Sequence, residues 1–283
     1  MSKAKTKKLL KKLNQKIDSV QNSDQFKEIL KTLGKFHNYS YQNRILIQLQ
    51  NPEATLVAGY KQWQKKFDRH VKKGEKAISI LAPFTYKKKV TEEKKVNGQL
   101  REIEKEVKKM YFRPVSVFDV SQTEGKPLPS IDITVQDTNS KLLIPLKKFI
   151  ETKDISLEIK ELKEGLKGYS QGGKIVIDKK LNDTEKSGVL VHETAHELLH
   201  DKESRQDMSK EIKEMEAEAA AFIVMDHYGV EIKSDKYLAL YKKSYDLKQS
   251  LKRISKIVSE IINYCDDYLL KNNEANEKLK EVI

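Results

Sequence analysis

Residues 189–200 read VLVHETAHELLH, with three histidines four residues apart and a glutamate directly after the first. On an α-helix, positions i and i+4 share a face one turn apart, so His192 and His196 can aim imidazole nitrogens at a single ion. Glu193 follows the first of them and projects beside the same point. It is placed to take a proton from a water molecule that the ion activates, which is the logic of the HExxH spacing in metal-dependent hydrolysis. The spacing also occurs by chance on polar helices. Here, though, it lies on an apolar helix, after a short predicted strand and before an acidic, alanine-rich helix.

A zinc site needs a third protein ligand. His200 is the nearest in sequence, but it stands two turns from His192 on the same straight helix and cannot close around the same ion. The stretch KEMEAEAAAFIVMDHYG offers better candidates. Glu214 and Glu218 are four apart and share a face, so Glu214 can ligate while Glu218 holds the far nitrogen of a ligand histidine. Glu216, on another face of that helix, is the competing ligand. Ala217, Ala219, Ala220 and Ala221 suit close packing of this helix on the HETAH helix, which Asp183 or Thr184 is expected to cap.

The elements that must position these residues follow from periodicity. Apolar positions at helical spacing between residues 3 and 33 predict one or two amphipathic helices broken near QNSD, and SYQNRILIQLQNP predicts a further helix stopped by Pro52. A short helix follows around Trp63. KGEKAISILAPFTYKKKV alternates like a strand, Asn97-Gly98 signals a hairpin turn, and MYFRPVSVFDV returns as the second arm. SQTEGKPLPSIDITVQDTNS is rich in turn-forming residues and reads as the linker between two domains, 1–130 and 131–283. Beyond it come a helix at LLIPLKKFIETKD, strands at ISLEIKEL and Lys174–Asp178, and helical patterns from Thr184 onward. The fold class is therefore α+β: an N-terminal α+β module with a long β-hairpin, then a mainly α, zincin-like domain with a small sheet.

Charge divides the chain the same way. Residues 1–130 hold 29 Lys+Arg against 13 Asp+Glu, a net of +16, and the remaining 153 hold 26 against 29, a net of −3. A basic first half points to a polyanionic partner. Single-stranded nucleic acid needs cations for phosphates and aromatic faces for bases. Tyr41, Tyr60 and Trp63 interleave here with Arg44, Lys61, Lys65, Lys66, Arg69, Lys72, Lys73 and Lys76. His37 and His70 stand alone and read as structural. Cys265 lies on an apolar helical face and reads as a small buried residue.

As the single cysteine, Cys265 excludes an internal disulfide and a cysteine-based zinc cluster. No apolar run approaches a membrane span, and the basic N-terminus lacks the apolar core of a signal peptide. The expected location is the cytoplasm, with no membrane partner.

Two resemblances add to this reading. GGKIVIDKKLNDTEKSGVLVHETAHELLH followed by EMEAEAAAF resembles the ImmA/IrrE type of HExxH metallopeptidase, whose third ligand is the first glutamate of a Glu-x-Glu-Ala-Asn-like motif. That register falls on Glu214, and this chain has Glu218 where that family often has asparagine. YSYQNRILIQLQNPEATLVAGYKQWQ, VKKGEKAISILAP and VFDVSQTEGKPLP resemble the N-terminal domain of ArdC-type antirestriction proteins, which join a single-stranded-DNA-binding module to a zinc metallopeptidase-like domain. The resemblance implies a Zn2+-holding protein of a mobile element that shields incoming DNA from restriction. Its protein substrate would be a restriction component or another protein near that DNA. The alternative it leaves open is a regulatory protease of the ImmA/IrrE type that cleaves a DNA-bound repressor.

Overall fold

The structure is a computed structural model that describes residues 2–19, 23–96, 99–128, 142–200, 208–230 and 246–280. The architecture is α+β, and the chain forms two compact units. One comprises Met1–Gln15 with Leu46–Pro127, the other Lys16–Ile45 with Leu128–Ile283. The division falls within helices α1 (Ser2–Asp18) and α3 (Tyr41–Gln50).

The first unit is built on the long hairpin. Strands β3 (Ile78–Val96) and β4 (Gln99–Asp119) pair antiparallel from Ile78–Val117 out to Val96–Gln99, and β1 (Val57–Gly59) adds to the other edge of β4. The expected Asn97-Gly98 turn lies outside the described residues. Helix α4 (Tyr60–Phe67) covers the base of this sheet and buries Trp63 completely. The indole Nε1 donates to the Phe118 carbonyl at 3.0 Å, and its ring packs on Phe67 with centroids 4.9 Å apart. Part of the expected linker is ordered structure. A 3-10 turn at Val120–Gln122 leads into β5 (Thr123–Gly125), which pairs with β2 (Arg69–Val71). The cause is Asp119, 1% exposed, whose carboxylate accepts from the amides of Thr55 (2.7 Å), Leu56 (3.1 Å) and Ser121 (2.9 Å). Turn-rich composition marked the segment as irregular, but a buried acceptor gives its backbone donors a place to go.

The second unit is mainly helical. Helix α2 (Ser23–Lys35) buries Phe26, Ile29, Leu30 and Leu33, one apolar stripe at helical spacing. Later in the chain come α5 (Leu143–Glu151), strands β6 (Ser156–Lys160), β7 (Gly168–Ser170) and β8 (Lys174–Asp178), and helices α6 (Asp183–Leu199), α7 (Lys210–His227) and α8 (Leu247–Lys280). Helix α7 is buried nearly all round by α2, α6 and α8, which fits its alanine-rich sequence. Helix α2 approaches α7 closely at Gly34, where a Cβ would lie 3.1 Å from the Ile223 side chain and 3.2 Å from its carbonyl. The sheet order is β6-β8-β7, with β8 parallel to β6 and antiparallel to β7. No helix among the described residues is long and apolar enough to cross a membrane.

Candidate metal centre and basic surface

Helix α6 carries the motif, and its start is fixed by a capping box. Asn182, rather than Asp183 or Thr184, accepts from the Glu185 amide (2.9 Å), and the Glu185 side chain accepts from the Asn182 amide (3.1 Å). The Glu197 carboxylate takes the amides of Gly172 (2.8 Å) and Gly173 (2.6 Å), which ties the β7–β8 turn to this helix. Strand β7 lies directly against α6. At Gly168 a Cβ would sit 2.5 Å from a Val189 methyl, so only glycine permits that approach.

Across the α6–α7 contact the three expected ligands converge. His192 Nε2 and His196 Nε2 are 3.1 Å apart, and Glu214 Oε2 lies 3.6 Å from the first and 3.7 Å from the second. An ion with bonds of about 2.1 Å and tetrahedral angles holds its donors about 3.4 Å apart, so this triangle fits such an ion. The donor set of two imidazoles and one carboxylate suits a divalent transition metal. The two histidines hold the Glu214 carboxyl well below the ordinary carboxylate range. Burial disfavours a charged His192, yet its hydrogen bond to Glu214 and the charges of Glu193, Glu218 and Glu214 raise it overall.

Glu193 is buried beside this triangle without belonging to it. Burial pushes its carboxyl above the usual range, against the opposing pull of His192, His196 and a Ser170 hydrogen bond. Glu218 sits on the far side of His192, its Oε1 3.8 Å from Nδ1, the nitrogen expected for it. Glu216, the competing ligand, points away from the triangle. Wholly buried, it accepts from His200 Nε2 at 3.2 Å and from Nε and Nη2 of Arg253. His200 in turn faces His196, Nδ1 to Nδ1 at 3.2 Å. It therefore stands behind a candidate ligand and outside the triangle.

The residues that the sequence offers as a nucleic-acid surface divide into two groups. Lys61, Lys65, Lys66, Lys72, Lys73 and Lys76 are exposed, Tyr60 is 49% exposed, and Tyr41 is half-buried. Three others do not face solvent as expected. Trp63 is 0% exposed and cannot stack on a base. Arg44, 1% exposed, belongs to the second unit and donates to the carbonyls of Leu33 (2.5 Å), His37 (2.6 Å) and Tyr39 (2.6 Å) and to the Ser259 hydroxyl. The half-buried Arg69 joins β2 to β5 through Thr123, Gly125 and Lys126.

A different aromatic surface lies on the hairpin. Phe84, Tyr86 and Tyr111 cluster on one face, with Tyr111 6.0 Å from Phe84 and 5.7 Å from Tyr86 between ring centroids. The Arg113 guanidinium covers the Phe84 ring at 3.3 Å. Tyr86 and Tyr111 are 47% and 45% exposed, among exposed Lys87, Lys88, Lys89, Lys108 and Lys109. The signal was legible as alternation. Phe84 and Tyr86 are two apart, and a symmetric hairpin brings Tyr111 opposite Phe84.

An α+β chain with a basic hairpin unit and a two-histidine, one-carboxylate centre is the class that the fold and geometry define. Residues 2–118 match the family model of the N-terminal domain of the anti-restriction factor ArdC. The uncharacterized Bacillus anthracis protein pXO2-81 is 28% identical over 99% of this chain and 54% of that protein. The chain thus spans about half the length of that relative. Two solved structures of the antirestriction ArdC protein from plasmid R388 are similar. The metal-free form is 18% identical, with a TM-score of 0.41 over 83% of this chain and 85% of that one. The Mn(II)-bound form is 19% identical, with a TM-score of 0.37 over 83% and 88%.

Proposed function

We propose that this chain is an antirestriction protein that binds single-stranded DNA through its first unit and hydrolyses a peptide bond, in a protein near that DNA, at a zinc centre in its second. The carrying observation is Glu193, a buried carboxylate packed against the ligand triangle but outside it. A purely structural site has no use for such a group.

His192, His196 and Glu214 would hold the ion, and Glu218 would orient His192. A bound zinc ion supplies Lewis acidity toward a carbonyl and lowers the pKa of water from about 15.7 to about 7. Glu193 then accepts the proton of the attacking water and passes it to the departing amine. Presentation of substrate needs an open strand edge. Strand β8 is paired on both sides. Strand β7 packs against α6 and pairs only with β8 among the described residues, so an extended peptide would add to its free edge. On the first unit, the Phe84–Tyr86–Tyr111 face would stack bases while the hairpin and α4 lysines contact phosphates.

The test is Glu193→Gln. It should retain zinc and DNA affinity while losing both protection of incoming DNA and cleavage of candidate restriction or DNA-bound proteins. Full protection and cleavage by this variant would remove Glu193 from the mechanism.

A further inference from the structure

His37 reads in sequence as an isolated histidine, but the fold gives it company. It lies just after α2, 190 residues before His227 at the end of α7 and farther still from Asp266 on α8. All three are in the second unit. Their donor atoms lie within 4.8 Å of one another, and this is the only such group besides the HETAH centre among the described residues.

Two of the three donors are aimed by outer contacts. His37 Nδ1 lies 3.3 Å from the Gly34 carbonyl and donates to it, which leaves the lone pair on Nε2. The His37 carbonyl is itself held by Arg44 at 2.6 Å. Asp266 Oδ1 accepts the Tyr228 hydroxyl at 2.8 Å, which leaves Oδ2 for the site. His37 Nε2 and His227 Nε2 each stand 3.7 Å from that same Oδ2. This is too long for a hydrogen bond to either ring. The two imidazoles flank the carboxylate oxygen without bonding to it, and these two separations need close by only a few tenths of an ångström to reach the donor spacing of a tetrahedral ion. The side chains are 12%, 20% and 26% exposed, so the point is enclosed but reachable from solvent.

We propose that His37, His227 and Asp266 form a second metal site, which takes a divalent transition ion of the zinc class and fastens the end of α2 to α7 and α8. Two imidazoles and one carboxylate select such an ion over magnesium or calcium, which prefer all-oxygen sets. The role is structural. An ion shared by three distant segments adds its binding energy to the folded state alone.

The experiment uses the full chain with the first centre disabled, His192→Ala/His196→Ala, stripped of metal and titrated with zinc sulfate. The expected result is one zinc per chain and a melting temperature that rises by several degrees on loading, with both effects lost when His227→Gln or Asp266→Asn is added. If the doubly substituted chain does not fold, zinc is counted directly, with two per wild-type chain and one in His227→Gln. A doubly substituted chain that folds but takes up no zinc overturns the proposal. So does zinc content that is the same with and without His227→Gln.

Discussion

His196 faces His200 through their Nδ1 atoms at 3.2 Å, and His200 passes its other nitrogen to the wholly buried carboxylate of Glu216. A candidate ligand is thus backed by a His–Glu–Arg chain that ends at Arg253. Outer partners of this kind set ring orientation and basicity, and losing one typically costs 10- to 100-fold in metal affinity. Glu216→Gln is expected to weaken zinc binding by about that factor in competition with a chelator, whereas Glu214→Ala empties the first centre. Arg253→Ala should cost more in stability, about 3–5 kcal/mol, because it strands a buried charge.

Tyr86 and Tyr111 present their faces to solvent on one side of the hairpin, whereas Trp63 does not. Tyr86→Ala with Tyr111→Ala should weaken binding of a labelled single-stranded oligonucleotide by about 1–3 kcal/mol per base stacked, with little change in melting temperature. Trp63→Ala should do the reverse, since deleting a buried indole costs about 3–5 kcal/mol of folding. Raising salt should lower affinity, with a log–log slope of about −0.7 per phosphate neutralised. Binding that ignores salt would remove the lysines from the interface.

The Arg44 guanidinium is buried, and desolvation lowers its pKa to about 10 while three carbonyls and a hydroxyl still accept from it. Arg44→Ala leaves those acceptors without their donor. A loss of about 2–4 kcal/mol in urea unfolding is expected from several orphaned acceptors. The intrinsic DNA affinity of the folded protein should be unchanged.

Asp119 gives a pH-dependent term. Burial raises its carboxyl, but the Ser121 hydroxyl and the amides of Ser121, Thr55 and Leu56 outweigh this and hold it below its ordinary value. A carboxylate depressed in the folded state contributes stability above its unfolded pKa of about 3.9, and that contribution is lost as pH falls through the folded value. Asp119→Ala should therefore lower stability at neutral pH and flatten the acid limb of a stability–pH curve. An unchanged acid limb would show that other carboxylates dominate it.

Cys265 is fully buried, and burial pushes its thiol up to about 12. The native protein should resist alkylation by iodoacetamide at pH 8 and react fully once unfolded in urea, as read by intact mass.

Much of this was legible in the chain because it is local. The four-residue spacing of His192 and His196, the alternation of the hairpin arms and the apolar stripe of α2 all follow from backbone periodicity, so sequence alone determined those elements and the α+β class. Composition likewise located the basic half. The motif helix needed only a change of cap by one or two residues, from Asp183 or Thr184 to Asn182.

What sequence left open was decided by packing between elements distant along the chain. Glu214 and Glu216 are two residues apart on one helix, and only the way α7 lies against α6 and α8 sends the first to the histidines and the second to Arg253. Arg44 and Trp63 carry the residue types of a nucleic-acid surface, yet the Ser259 hydroxyl helps to hold the first among nearby carbonyls and the distant Phe118 carbonyl holds the second, and a buried polar group stays where its partners are. His37, His227 and Asp266 show no pattern in sequence because nothing local relates them. Periodicity fixes which side chains share a face of one element, and tertiary packing fixes which faces meet.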